Sequence, residues 1–387
     1  MKQKILKISC LFMFFTAFFV LNLTYIYSQS PNETEIAARN ALQRLDEFLS
    51  GNNSGISSIP ELPVQVTQGG IQPSWVDAPF SAYNRNRYIA AVGHGSSRAE
   101  AERQALLELL GIFGQSIRGD SIFHNIYSEA VSKGIVTVTQ NTFMQDVIIT
   151  STSLDILIGA QIGNIWDSGR GMVYALAYMD REKTISIYTD LILLNNLSIE
   201  QLTAMNAAQK NTFDGYARFK LAETIANINA KYATVVSVSG GSTASLNIKS
   251  ANSLNLDAEE ILRNITVVVN VKNDQANRIR DAFAQVLTAE SLRTGGNDPP
   301  YTLEVDLDLS EVTYPNNRRI YCRYVVSANL IENATGAVLL PFNFSGREGH
   351  STYANAVTTA ITEAEKGILE KYPIILSEYL AGIFPRE

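Results

Sequence analysis

The stretch AAVGHGSSRAEAERQALLELLG, residues 90–111, passes from an apolar run through Gly-His-Gly into a helical pattern. Ser97 and Glu100 have the spacing of a capping box, which predicts that the helix begins just after Ser97. Its small apolar residues recur at Ala101 and Ala105, as on the buried side of an amphipathic helix. The stretch therefore predicts a strand, a glycine-containing turn and a helix that packs back on the strand.

The same order of elements occurs in phosphate-binding loops. The dinucleotide-binding pattern needs a small residue three positions after its second glycine. In this chain Arg98 stands three positions after Gly95. The Lys-Ser or Lys-Thr pair of a P-loop is missing as well. We therefore expect no nucleotide site, and we expect Gly93 and Gly95 to permit a tight turn into the helix.

The order of elements recurs along the chain. After the first helix, the pattern predicts three strands, near 135–149, 154–166 and 171–180, and a helix at about 181–195. Residues 262–385 again show a strand, a helix, three strands and a long helix. The sequence therefore predicts an α+β fold of two small sheet-plus-helix domains, each β-α-β-β-β-α, joined by a helical linker region.

The remaining segments flank and join these two units. The predicted division is a signal peptide or uncleaved anchor at 1–28, an amphipathic helix and flexible linker at 31–72, a first α+β domain at 73–195, a helical connector and joint at 198–260, and a second α+β domain at 262–385. Proline interrupts helical hydrogen bonding, so we expect the last helix to bend or break at Pro373.

The N-terminus has the features of an export signal. Lys2, Lys4 and Lys7 precede an apolar stretch from Ile8 to about Val20, and small residues follow. The uncharged span is also near membrane-crossing length, so an uncleaved anchor stays an alternative. We expect an exported protein of a diderm bacterium, in the periplasm or at the periphery of the outer membrane.

The net charge and the cysteine positions limit the partners and covalent links that we expect for this chain. The chain carries a net charge of −7 and no block of Lys and Arg, so we expect no nucleic acid partner. Cys10 lies near the start of the apolar stretch, where a lipidated cysteine would not stand. Without the N-terminal segment, Cys322 has no partner for an internal disulfide.

No pattern of catalytic or metal-binding residues emerges. The histidines are His94, His124 and His350, and none has a ligand at close or helical spacing. No nucleophile motif is present, and we expect a non-enzymatic protein without cofactors.

An acidic row is the strongest candidate for a cation site. Glu304, Asp306 and Asp308 alternate along one face of a predicted strand and suggest either a calcium site or cross-strand ion pairs. We favour ion pairs, with the arginines that begin the next strand, which are Arg318, Arg319 and Arg323.

The first unit resembles the Lpp-twenty lipoprotein family and, through it, the N-terminal domain of flagellar assembly protein T. The resemblance covers about 73–190 and rests on Pro73, Trp75, Val76, Tyr88, Ala91, Val92, Gly93, Gly95, Ala101 and Ala105. It implies an exported, envelope-associated, non-enzymatic domain with a helix on a small sheet. The chain departs from the family in lacking a usable lipobox, so lipid anchoring does not carry over.

The second unit, 262–385, is similar to the small docking domains of TolB-like and penicillin-binding-protein-activator proteins. Together the two resemblances imply a docking or assembly role in an envelope protein complex, flagellar or cell-wall associated, with peripheral membrane contact as a further expectation. The helix at 32–49 is predicted either to bind a partner or to cover the protein's own surface. The alternative function is a periplasmic ligand-binding protein or enzyme with a cleft between the domains.

Overall fold

The computed structural model describes residues 33–49, 64–114, 129, 157–274, 276–315 and 317–386. Across these residues the fold contains two mixed sheets and eight α-helices, which confirms the predicted α+β class. The predicted strand near 135–149 and His124 lie outside the described residues.

Four strands in the order β1-β3-β4-β2 form the first sheet. They are β1 (Gln65–Gln68), β2 (Tyr88–Gly95), β3 (Gln161–Asp167) and β4 (Val173–Asp180). β4 pairs antiparallel with β2 and β3, and the predicted glycine hairpin joins β3 to β4. β1 pairs parallel with β3 inside the segment predicted to be a linker. The linker prediction is wrong at β1, because these residues gain main-chain partners at the edge of β3.

Two helical contacts lie near the first sheet, one between two helices and one between a helix and the sheet. α1 (Glu33–Leu49) lies on α3 (Arg181–Thr203), and α2 (Arg98–Ile112) covers one face of the sheet. Ala38 and Ala41 are buried in the α1–α3 contact, and the Arg44 guanidinium pairs with the nearly buried carboxylate of Asp190. Of the two roles predicted for the helix at 32–49, the structure supports the one in which it covers the protein's own surface.

The middle of the chain is helical, as predicted. After α3 come α4 (Ala207–Lys210), α5 (Phe213–Val238) and α6 (Ala251–Asn264). The stretch at 236–255 falls in the segment predicted to be a connector and joint. It contains the end of α5, a short connection and the start of α6, which Ser250 caps.

Three buried asparagines link α3 to α5. Asn195 donates to Asn229 at 2.8 Å, Asn229 donates to Asn196 at 3.1 Å, and Asn196 donates to the carbonyl of Leu246 at 2.7 Å. Each side chain is within a few per cent of complete burial, so an unpaired amide here would cost about 1–3 kcal/mol. The ladder therefore specifies how the two helices align.

Five strands in the order β6-β5-β7-β8-β9 form the second sheet. They are β5 (Thr266–Lys272), β6 (Arg293–Thr294), β7 (Tyr301–Thr313), β8 (Ile320–Glu332) and β9 (Ala337–His350). β7, β8 and β9 are antiparallel, with the predicted turn at residues 333–336 between the last two. α7 (Arg278–Ala289) and α8 (Tyr353–Gly382) pack on one face.

α8 runs without interruption through Pro373. The expected break is wrong, because the helix buries one continuous side on the sheet, from Ala356 through Tyr372 to Leu380. That burial outweighs the single main-chain hydrogen bond that proline removes.

One contact ties the helical middle to the second sheet. The Phe213 N–H, at the start of α5, donates to the buried Tyr301 hydroxyl at 3.0 Å, and the two rings lie 4.5 Å apart. Buried residues of both sheets and of the helices between them belong to a single hydrophobic cluster.

Candidate docking surface

Gly93 and Gly95 lie within β2 and form no left-handed turn. A Cβ atom on Gly93 would stand 2.0 Å from the Ala105 nitrogen, and one on Gly95 would stand 2.6 Å from the Glu100 Cγ. Ala101 and Ala105 are fully buried in the same contact. The tight connection to α2 is made by Ser96 and Ser97, so the glycines do not form the turn as predicted. These small residues instead let α2 lie directly against β2.

The N-terminus of α2 is occupied by its own side chains. The Ser97 hydroxyl accepts from the Glu100 N–H at 3.3 Å, which confirms the predicted start of the helix. The Glu100 carboxylate in turn accepts from the N–H and hydroxyl of Ser96 at 2.8 and 2.7 Å. These hydrogen bonds lower the pKa of Glu100. The capping thus uses the Glu100 N–H, one of the main-chain donors at the start of α2 that have no partner within the helix.

Aromatic residues build the opposite face of the first sheet. Trp75 is buried among Tyr83, Trp166 and Tyr178, and the Tyr83 and Tyr178 rings stack at 4.6 Å. Pro73 precedes the short helical turn that carries Trp75. Tyr88, Val92 and Val76 pack around the cluster, and Ala91 lies on the α2 side. The ten residues of the family resemblance thus lie at the two packed faces of one sheet.

The acidic row lies on the outer face of the second sheet, away from α7 and α8. Glu304, Asp306 and Asp308 are exposed, whereas their neighbours along β7 are buried. The residues opposite are neutral: Glu304 faces Asn329, Asp306 faces Ser327 and Asp308 faces Val325. Among the described residues no group of three His, Cys, Asp or Glu side chains is arranged to hold a metal ion.

The ion pairs predicted between this row and the arginines are absent from the described residues. β8 begins at Ile320, so Arg318 and Arg319 fall in the turn that precedes it. Arg323 stands opposite Ser310 on one side and opposite Arg347 on the other. The length of the turn sets this register, and the spacing of charges in the sequence does not reveal it.

Cys322 is fully buried on the inner face of β8. Burial raises the pKa of its thiol, so the reactive thiolate is disfavoured.

One edge of the second sheet is β9, its last strand. It pairs with β8 on one side and with no described strand on the other. Val338, near its start, is 53% exposed. Beside it lies an open groove of 440 Å³, whose apolar lining includes Phe213, Leu339, Tyr379 and Phe384.

The C-terminal tail forms one wall of this groove. The Arg386 guanidinium pairs with Glu332 at 2.6 Å, and the Arg386 N–H donates to Asp214 at 2.7 Å. Arg218 donates to the Arg386 carbonyl at 2.9 Å. Burial of Glu332 opposes its ionisation, but hydrogen bonds from Arg386 and Thr335 outweigh it and lower the pKa of Glu332. The wall is therefore held at both its main chain and its side chain.

Sequence patterns did not single out these groove residues. The alternation of β9 is visible in the sequence, but its position at the sheet edge follows from strand order. The apolar character of Ile383 and Phe384, so close to an acidic and basic terminus, was the one available signal.

Comparison with known proteins gives no family. No family model matches the chain, and no curated protein matches it. Among solved structures, a secreted protein of Helicobacter pylori aligns at 12% identity and a TM-score of 0.37, covering 73% of this chain and 98% of that one. A minor lipoprotein of Acinetobacter baumannii aligns at 10% identity, a TM-score of 0.23, and coverages of 30% and 90%.

A third structure, of a lipoprotein from Caulobacter crescentus, aligns at 16% identity and a TM-score of 0.23, covering 32% of this chain and 91% of that one. These similar structures are thus secreted proteins and lipoproteins, and because their TM-scores are low we take no function from them. No helix in the described ranges is both long and apolar enough to cross a membrane.

Proposed function

We propose that this chain is a non-catalytic, exported protein of the cell envelope that docks a partner protein by accepting an extended segment at the free edge of β9. Export is supported by the three lysines and the apolar stretch at the N-terminus. The docking role is supported by one observation, the open edge of β9 beside an apolar groove.

The main chain of β9 supports strand addition. Pro341 stands opposite Asn329 and has no N–H, so in an intact ladder its nitrogen points to the free edge. Alternate residues of a strand share this direction, and Asn343, Ser345 and Arg347 therefore direct their N–H and C=O groups outward. An added strand would pair with these groups, and Pro341 limits the pairing on one side.

The groove supplies the second requirement of strand addition, which is a pocket for side chains. α8 runs back along β9, so its end and the pinned tail lie beside Val338. We expect the partner segment to carry an apolar side chain that fills the space between Leu339, Tyr379 and Phe384. From the resemblances, the partner belongs to a flagellar or cell-wall assembly of the envelope.

In-cell photo-cross-linking tests this proposal. Benzoylphenylalanine at Val338 should yield a defined adduct with one envelope protein. The same residue at Leu256, which is 54% exposed on α6, serves as the control position and should not. In the Val338 background, Ser345→Pro removes one outward N–H and should abolish the adduct, whereas Ser345→Ala should retain it.

Both Ser345 variants should keep the melting temperature of the parent, since proline is tolerated where the N–H faces solvent. Equal adducts from Ser345→Pro and Ser345→Ala would refute strand addition. A concentration-dependent thermal shift with nucleotides, metals or cell-wall fragments would instead favour the ligand-binding alternative.

A further inference from the structure

Two arginines stand directly opposite each other on the outer face of the second sheet. Arg323 of β8 and Arg347 of β9 are cross-strand partners, and both are exposed. Opposite residues of an antiparallel pair have Cβ atoms about 5 Å apart, and like charges at that distance are destabilising. The pairing of Arg323 with Arg347 therefore does not stabilise the sheet.

Aromatic rings hold one of these arginines in place. The Arg347 guanidinium lies 5.2 Å from the ring centre of Tyr314 and 5.3 Å from that of Tyr321, and it donates to the Tyr314 hydroxyl. The two rings meet edge to face at 5.3 Å. Asn317 donates to the Tyr321 hydroxyl at 3.0 Å. The guanidinium is thus oriented by neutral groups.

Two more arginines, Arg318 and Arg319, lie exposed in the turn before β8. None of the four arginines forms an ion pair with another residue in the described part of the chain. The nearest acid by register on the same face is Asp308, diagonal to Arg323. Although the chain has a net charge of −7, four arginines without an ion pair among the described residues thus lie at one end of the outer face and in the adjoining turn.

We propose that these four arginines, with Tyr314 and Tyr321, form a surface that binds the anionic headgroups of a phospholipid bilayer. Arginine binds phosphate oxygens in a bidentate manner, and tyrosine is favoured where an apolar surface meets water. The cluster is spread over a flat sheet face and a turn, which fits a planar array of phosphates better than a single dissolved anion. The choice of lipid rests on the export proposed above, which would bring the chain to membranes rather than to nucleic acids.

This surface is independent of the docking proposal. The arginines use the outer face of the sheet, whereas strand addition uses the edge of β9 in the plane of the sheet. A negative cross-linking experiment would not contradict the lipid surface, and a negative vesicle experiment would not contradict strand addition.

Vesicle flotation tests the proposal. The protein is recovered from cells through a C-terminal tag, so that all variants share one N-terminus. It is then mixed with vesicles of phosphatidylcholine alone or of phosphatidylcholine with phosphatidylglycerol. Each arginine near an anionic surface contributes about fivefold to partitioning. Arg323→Gln with Arg347→Gln should therefore weaken binding to the anionic vesicles about 25-fold.

Matched variants distinguish binding by these arginines from a nonspecific effect of the net charge. Arg170→Gln with Arg293→Gln makes the same change in net charge at two exposed sites elsewhere and should bind like the parent. Arg323→Lys with Arg347→Lys keeps the charge and should retain most of the binding. Added salt should weaken the binding of the parent.

Three results would overturn the proposal. They are equal binding of the parent to both kinds of vesicle, equal loss in the glutamine pair and its matched control, and complete release of the parent by inorganic phosphate at constant ionic strength. The last would assign the arginines to a dissolved anion. Melting temperatures of all variants establish that each is folded.

Discussion

The two sheets carry similar sets of elements but differ in how many of their faces are covered. The first is packed on both sides, by α2 on one face and by the aromatic cluster of Trp75 on the other. The second is packed by α7 and α8 on its inner face, and its outer face is polar and exposed. The comparison teaches that the first sheet is buried on both faces, whereas the second, in the described part of the chain, leaves its outer face exposed to solvent.

The strand sequences account for this difference. β2 and β4 carry apolar or small residues on both faces, such as Ala90 and Ala91 on neighbouring positions. From Leu303 to Asp308, β7 alternates between buried aliphatic and exposed acidic residues. A continuous apolar run is typical of a strand covered on both sides, and alternation is typical of a strand with one solvated side.

Truncating the aromatic cover should have the largest effect. Trp75→Ala removes a buried indole from a small cluster and should lower the free energy of unfolding by about 3–5 kcal/mol, as measured by urea denaturation. Phe80→Ala, on the same segment but 37% exposed, should cost about 1 kcal/mol or less. Similar losses in both variants would mean that the second face is not packed as described.

A methyl group at Gly93 should come next. Because its Cβ would stand 2.0 Å from a main-chain nitrogen of α2, the helix must shift, and we expect Gly93→Ala to cost about 1–3 kcal/mol. Gly111→Ala, in the same helix with open space around it, should be neutral or stabilise by up to about 1 kcal/mol. Thermal denaturation of the two variants would decide, and a stable Gly93→Ala would contradict the direct contact of α2 with β2.

The aromatic cluster should also make stability fall in alkali. Burial, with the neighbouring Tyr178 and Tyr88, raises the pKa of Tyr83 to about 12. The unfolded chain has a tyrosine pKa of about 10, so the unfolded state releases its proton first. The free energy of unfolding should therefore fall as the pH rises from about 10 to about 12. Urea denaturation at several pH values should show that the free energy of unfolding falls less steeply with pH in Tyr83→Phe than in the parent. Equal slopes in the two proteins would mean that Tyr83 is exposed to water.

The outer face of the second sheet should respond least. Replacing Glu304, Asp306 and Asp308 by Gln, Asn and Asn should change the free energy of unfolding by about 0.5 kcal/mol or less, since these side chains face water and neutral partners. Leu303→Ala, on the buried side of the same strand, should cost about 2–5 kcal/mol. A large loss in the triple variant would reveal that this face is covered after all.

Sequence patterns predicted the elements better than their arrangement. The capping residues located the start of α2, and alternation located β7 and its buried side. β1 was missed because four residues without an apolar pattern carry no strand signal and gain their structure from β3. The register of β7 on β8 was missed because it depends on the turn at 314–319. For this reason the ion pairs were predicted wrongly, and the pairing of Arg323 with Arg347 was not predicted.

The candidate site depended on facts that no local pattern contains. The edge position of β9 follows from strand order, and the groove forms where the start of α5, the end of α8 and the tail meet. Gly93 and Gly95 were predicted to permit a tight turn, whereas in the structure they permit the close approach of α2 to β2. The small residues of β2 indicate in the sequence that another group approaches closely, but only the fold shows that this group is α2.

The asparagine ladder has a mechanical consequence. α3 follows directly from the first sheet at Asp180, and α5 begins at Phe213, whose N–H is bound to the second sheet. A pull on one sheet relative to the other would shear α3 along α5. Sliding by one turn, about 5.4 Å, would break the hydrogen bonds of Asn195, Asn196 and Asn229 together. The helical layer therefore resists shear between the two sheets as one hydrogen-bonded unit.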